Sequence, residues 1–416
     1  MIIFFVRRFN DTDHLTPIAY QIKKSTDESV AVFCVNPKYD ILHEARLKFL
    51  AETYGVLVKY VYEAYCPSLF YRFLVFLLCD KFQHIVIKLA LKLPRMLFYN
   101  TMLKRLESYF GQDWAVGLLT KYRPSILIFD FVKNSQYITR SLVGAAKHLN
   151  IPTVAIPPGA TLYEDSLGSL QSFANYDLPD HDYLIMQHET RRRLTIDAGG
   201  PEEKMHLLGT PRFCREWENV LDKILAPNPL KKTRRQEKLN VLYIDRPKRD
   251  SEDKSAILET ISAISKLGFV DLKIKPHTRN NFISTATLKQ YGEVAADIES
   301  FHLVQWADVV VGTSSSILLE VLCQKKILLY PKYLNNHIMA FEKMNACWQV
   351  NSLPELLKAL SKIRSNPQYH PYSDANVDRL LTKIVYAGKP DLDVLAAYKD
   401  FIMSRAKRPE HLSIHH

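Results

Sequence analysis

The stretch Trp306-Ala307-Asp308-Val309-Val310-Val311-Gly312-Thr313-Ser314-Ser315-Ser316-Ile317-Leu318-Leu319-Glu320-Val321 reads as a strand, a turn and the opening of a helix. Its β-branched run is of the kind buried on both faces of a parallel sheet. Gly312 ends the run, and its missing side chain lets a ligand approach the backbone. The helix that follows offers free N–H groups, the positive end of its dipole and up to four hydroxyls, from Thr313, Ser314, Ser315 and Ser316, all suited to a phosphate. Glu320 lies four residues beyond Ser316 on the same helical face, placed to accept hydrogen bonds from a ribose. The plainer alternative is a serine that caps the helix and a solvated Glu320.

Outward from this element the same grammar repeats. Asn240 to Ile244, Asp271 to Ile274, Asp308 to Val311 and Ile327 to Tyr330 read as buried strands, and Lys254 to Leu267, Ser316 to Gln324 and Leu353 to Ile363 carry helical periodicity. In the first half, Ile2 to Val6, Val30 to Val35, Leu57 to Tyr60, Ser125 to Phe129 and Thr153 to Ile156 are strands, with helices over Pro17 to Lys24 and Tyr137 to Leu149. Thr16-Pro17 is the expected start of the first helix. The fold class is therefore α/β, with two Rossmann-like doubly wound units in one chain. A Pro-, Lys- and Arg-rich joint at Pro227 to Lys238 separates them. The expected domains are 1–230, 231–385 and a tail, 386–416, whose helix Leu392 to Ala406 packs back across the junction. Ligands of such sheets bind at the carboxyl ends of the strands.

Two further strand ends carry chemistry. Asp271-Leu272-Lys273-Ile274-Lys275-Pro276-His277-Thr278-Arg279 delivers Lys275, His277 and Arg279 to one end, with Pro276 fixing the turn. Three cationic groups there can neutralise a diphosphate without a metal ion. Asp245-Arg246, after the first strand of this half, supplies a further phosphate contact through Arg246 or is an ordinary surface pair.

Composition limits the partners. The 416 residues are 47% hydrophobic with no long polar tract, so the chain is globular. Its 55 Lys and Arg against 44 Asp and Glu give +11, which favours an anionic partner: nucleic acid, a membrane surface or a phosphorylated substrate. No zinc spacing, RNA-recognition aromatic motif or concentrated basic tail points to nucleic acid. The six scattered cysteines read as reduced thiols, and the apolar run Met1 to Val6 is too short for a signal peptide, so a cytoplasmic protein is expected. Ser68 to Leu106 holds seven Lys and Arg against Asp80 amid many Leu, Phe and Ile. It reads either as an interfacial helix drawn to anionic lipid or as a core helix with a solvated basic face.

Three elements in order carry a resemblance. Lys275-Pro276-His277-Thr278-Arg279 is similar to a K-P-H-P-R element, Gly312-Thr313-Ser314-Ser315-Ser316 to a D-x-S-S element, and Leu208-Gly209-Thr210-Pro211-Arg212-Phe213 to a G-N-P-R-F element. All three belong to the CDP-glycerol glycerophosphotransferase family and related capsule and surface-carbohydrate transferases. Thr278 stands where that family has proline, and Thr313 stands near a common acidic position. The resemblance implies a GT-B architecture with a metal-independent donor site in the C-terminal domain and an acceptor site in the N-terminal one. It also implies donor-phosphate roles for His277 and the run 314–316, and no cofactor. The implied reaction is inverting transfer of a sugar from a CMP-, CDP- or UDP-linked donor to a hydroxyl of a surface polysaccharide or lipid-linked glycan. The alternatives are an alditol-phosphate transferase, an enzyme like the non-hydrolysing UDP-N-acetylglucosamine 2-epimerases, and a non-catalytic membrane scaffold. The epimerases' D-S-G-G-x-x-E-E element is matched in part by Ser314 to Glu320, with serines at its glycines.

Transfer needs a base in the N-terminal domain. Asn10-Asp11-Thr12-Asp13-His14 reads as a loop between the first strand and the Thr16-Pro17 helix start, which makes Asp13 or His14 the expected base. Asp130, ending a strand, is next, and Glu164 and Asp165, after the Pro157-Pro158-Gly159 turn, are third.

Overall fold

The computed structural model describes residues 1–37, 39–72, 108–131, 138–165, 180–230, 238–245, 254–277, 283–366 and 368–407. The chain divides into two compact units. The first comprises Met1–Gly159, Ser172–Leu225 and Val385–His416, and the second Ala160–Gln171 and Ala226–Ile384.

The first unit is built on seven strands: β1 (Ile2–Val6), β2 (Val30–Cys34), β3 (Leu57–Tyr60), β4 (Ile126–Asp130), β5 (Thr153–Ile156), β6 (Tyr183–Met186) and β7 (Met205–Leu207). They form one parallel sheet in the order β3-β2-β1-β4-β5-β6-β7. Alternate residues Ile3, Phe5, Ala31, Phe33, Leu127 and Phe129 share a core with Trp114 and Leu118 of helix Gln112–Tyr122 and Leu142 and Ala146 of helix Thr139–His148. Helix Phe9–Ser25 packs on β1 and against helices Ala45–Tyr54 and Val394–Arg405. Apolar residues at successive positions are thus buried on both faces, as a doubly wound sheet requires.

The second unit has β8 (Leu239–Ile244), β9 (Val270–Lys275), β10 (Glu293–Val294), β11 (Val309–Val311), β12 (Ile327–Pro331) and β13 (Trp348–Val350). These also form one parallel sheet, in the order β10-β9-β8-β11-β12-β13. Val241, Tyr243, Val309, Val311 and Leu329 pack with Ile257 and Ile261 of helix Lys254–Ser265 and Leu356 and Leu360 of helix Leu353–Ser365. In each unit the chain starts at a central strand, adds two strands to one side, then crosses to the other. The strand order reverses between β1 and β4 in one sheet and between β8 and β11 in the other.

Several expectations change here. The stretch expected as a loop, Asn10 to His14, lies inside helix Phe9–Ser25, and Pro17 sits in the helix interior rather than at its start. Arg8 is the extended residue before the helix, and Asp11 in the first turn accepts the Arg7 backbone N–H at 3.0 Å, so the helix begins eight residues before the proline. Pro17 removes only its own donor, and Thr16, instead of capping, donates its hydroxyl to the Thr12 carbonyl at 2.6 Å. The strands β6, β7, β10 and β13 escape the sequence reading.

Two segments join units that chain order does not suggest. Thr161 to Asp165 belongs to the second unit, where Tyr163 bridges Met339 and the Glu164 N–H donates to the Ile338 carbonyl at 2.9 Å. The tail from Val385 belongs to the first. Gly209 adopts φ +82°, and a Cβ there would lie 2.3 Å from the Val385 carbonyl oxygen. Thr210 N–H donates to that same carbonyl at 2.8 Å, and the Tyr398 hydroxyl donates to the Gly209 carbonyl at 3.0 Å. Among the described residues no helix is long and apolar enough to cross a membrane.

Candidate functional site

In the second unit the reversal point lies between the carboxyl ends of β8 and β11, with β9 beside β8. A reversal leaves a crevice there, because the connections on either side lead away in opposite directions. Three of the expected segments end on these neighbouring strands: buried Asp245 after β8, His277 after β9, and Gly312 with the hydroxyl run after β11.

Gly312 has a reason of its own. A Cβ would meet Leu318 Cδ2 at 2.9 Å and Ile244 Cβ at 3.5 Å, so glycine lets the turn close onto its own helix and onto β8. Thr313 is buried, whereas Ser314, Ser315 and Ser316 are half-buried. Helix Ile317–Cys323 follows directly, and Ser316 makes no side-chain capping bond. Glu320 is buried, not solvated, and accepts from Gln324 Nε2 at 3.0 Å.

Lys275 departs from expectation. Its ammonium donates to the carbonyls of Ala295, Ala296 and Ile298 at 3.3, 2.8 and 2.7 Å, which engages all three of its protons. Burial lowers its pKa from the ordinary lysine value, against Glu299 and Asp297, which raise it. Meeting a phosphate would mean releasing those carbonyls. Arg246 and Arg279 lie outside the described residues, as does most of the basic stretch 68–106. At that stretch's described edge Leu69 and Phe70 are exposed.

The first unit has its own reversal point, between β1 and β4, and two buried charge clusters lie on the helix that follows β1. Arg7, the residue after β1, pairs through its guanidinium with Asp130 at the end of β4, its Nε 3.2 Å from Asp130 Oδ1. The same Nε lies 3.2 Å from Asp11 Oδ2. Two buried carboxylates thus meet on the Arg7 guanidinium, with Arg8 Nε 4.0 Å from Asp11 Oδ1. Burial first, then Asp11, raises the Asp130 carboxyl to about 7, while Arg7 opposes the rise. Sequence reading passed over Arg7 and Asp11. Their signal was present, since two charged residues flank the carboxyl end of the first strand.

Asp13 is the centre of the second cluster. Its Oδ2 accepts from Arg212 Nε at 2.7 Å, and its Oδ1 lies 2.9 Å from Arg46 Nε. Arg46 also donates to Glu44, which caps the next helix by accepting the Leu47 N–H. Burial would raise the Asp13 carboxyl, but Arg212 and Arg46 outweigh it and hold the group below its ordinary value. A carboxylate so held is a weak proton acceptor, fixed in place by two guanidiniums. His14 is buried edge-on to Phe213, its ring centroid 5.9 Å away. Burial, against the pull of Asp13, pushes its pKa down to about 4, so the imidazole is neutral at pH 7. Glu164 and Asp165 are held within the second unit, Glu164 by Lys383 at 2.6 Å and Asp165 by the Ile338 N–H at 3.0 Å.

No family model matches the chain, and no curated protein matches it. Solved structures do. A UDP-N-acetylglucosamine 2-epimerase aligns at TM-score 0.57 with 11% identity, covering 98% of this chain and 97% of that one. UDP-GlcNAc 2-epimerase from Neisseria meningitidis, bound to UDP-GlcNAc, aligns at 0.52 with 10% identity over 97% and 99%. MnaA of S. aureus with UDP aligns at 0.53 with 11% identity over 95% and 93%. Identities this low carry the fold: two Rossmann-like parallel-sheet domains of GT-B type.

Proposed function

We propose that this chain is a nucleotide-sugar-dependent enzyme that holds the nucleotide diphosphate in its second unit and transfers the sugar to a hydroxyl acceptor. The observation that carries the reading is the reversal point of that sheet, where three adjacent strand ends present His277, Asp245 and the run Gly312–Ser316. A strand end opening into a helix start is where a phosphate gains most from backbone N–H groups and dipole. His277 supplies a further donor. In the first unit, Asp130 is the favoured proton acceptor, because a carboxyl raised to about 7 exchanges protons at neutral pH. His14, neutral at that pH, is the second choice. The donor, by resemblance of motif, is CMP-, CDP- or UDP-linked, and the acceptor a surface or lipid-linked glycan. An alditol phosphate is the alternative group transferred.

Epimerisation of a UDP-sugar is the second reading, favoured by the names of the solved structures that share the fold. Buried Glu320 at the matching distance from Ser314 agrees with it. A cytoplasmic enzyme on an anionic membrane, held through 68–106, fits a lipid-linked acceptor; liposome co-sedimentation tests that part.

Thermal shift against CMP, CDP, UDP and GDP tests the nucleotide reading. At least one is expected to raise the melting temperature, and His277→Ala to abolish the rise. Silence from all four sinks it. Interconversion of UDP-GlcNAc without any acceptor, followed by proton NMR, would replace transfer with epimerisation.

A further inference from the structure

The lysine expected to meet the donor phosphate has another occupation, and the sheet explains it. β10 is two residues long and lies at the edge, paired only through Glu293↔Lys273 and Val294↔Ile274. A strand so short cannot hold its own connection in place through backbone bonds alone. Two lysines of β9, two residues apart and therefore on one face, reach over to it. Lys273 pairs with Glu293 on β10 itself and lies 5.0 Å from the ring centroid of Trp306. Lys275 gathers the three carbonyls of Ala295, Ala296 and Ile298 in the turn that follows β10. Those carbonyls converge on one cation, with Asp297 and Glu299 adding negative charge nearby. The turn leaves the same carboxyl edge of the sheet as His277, one strand away.

We propose that Lys275 is a positioning residue. Its ammonium is the strut of the 295–298 turn, and it acts on nucleotide binding by fixing the shape of that edge rather than by touching phosphate. The inference rests on the second unit being the nucleotide site. It separates two roles that the motif Lys275-Pro276-His277 runs together: the lysine builds and the histidine binds. A neutral isostere such as methionine leaves three carbonyls without their shared donor, whereas arginine keeps several N–H groups and the charge.

Two measurements on the full chain decide it. Hydrogen exchange without any nucleotide reports on the strut directly. In Lys275→Met, amides of 295–299 are expected to exchange about tenfold faster or more, with Lys275→Arg restoring most of the protection. Titration with UMP and with UDP reports on the mode of action. A residue acting through the turn weakens both by the same factor, whereas a phosphate ligand weakens UDP much more than UMP. Unchanged exchange with a loss confined to UDP overturns the proposal. Faster exchange with both affinities intact overturns it too, by leaving Lys275 a role in stability alone. If the wild-type chain binds neither nucleotide, the uridine form of the functional reading falls, while the exchange result still decides whether the strut exists. Should Lys275→Met not fold, Lys275→Gln, which removes the charge and keeps two amide N–H donors, is read the same way.

Discussion

Asp13→Asn separates an anchor from a base. The carboxylate lies 2.7 Å from Arg212 and 2.9 Å from Arg46, and both guanidiniums are almost wholly shielded from water. Removing its charge takes one carboxylate from two buried cations, with Glu44 remaining on Arg46. Breaking a buried pair from one side costs about 3 to 5 kcal/mol, and asparagine, which keeps one acceptor oxygen, belongs at the lower end. At about 2–4 °C per kcal/mol for a domain of this size, the first unit's transition should fall by roughly 10 °C in differential scanning calorimetry. Arg212→Met should lose a similar amount, and the double variant less than the sum, with a coupling of about 2 kcal/mol or more. The stabilisation follows the ionised carboxylate. Its folded pKa is depressed, so it is present above the unfolded value near 4 and lost as pH falls through the folded one. A melting temperature within about 2 °C of wild type, together with loss of turnover, would refute the anchor and return Asp13 to the place of a base.

His181 is buried against Phe129, both ring nitrogens without a hydrogen-bond partner among the described residues, and burial pushes its pKa down to about 3. The unfolded chain takes up the proton near 6.5, so this residue should remove about 2 kcal/mol of stability between pH 7 and 5, and urea titrations of His181→Leu should lose that acid sensitivity. Asp130 has the opposite sign: its raised pKa means stability fully present only below the unfolded value near 4 and lost as pH rises to about 7, so Asp130→Asn should flatten the urea midpoint between pH 4 and 7. Gly209→Ala forces a left-handed φ on a side chain and drives its Cβ into the Val385 carbonyl, so a loss of about 3 kcal/mol or more is expected by calorimetry.

Nine of the thirteen described strands were legible, most of them because burial on both faces demands consecutive apolar residues whatever their neighbours. Ile2–Val6 and Val309–Val311 announce themselves that way, and so does the glycine that must end the second of them. The strand ends named as sites follow from the same periodicity, since ligands of such sheets meet their carboxyl edge. What those side chains do there was not legible. Asp13 meets a partner 199 residues away, and Arg7 meets Asp130 across 123. The partners of Lys275 are backbone carbonyls, which every residue carries and no composition reveals. Local pattern selects elements through burial that each residue experiences by itself. The charge state of a carboxylate or an ammonium depends on which opposite group the fold brings within about 3 Å, so only the tertiary structure brought Asp13 to Arg212 and Arg46, Arg7 to Asp130, and Lys275 to three carbonyls.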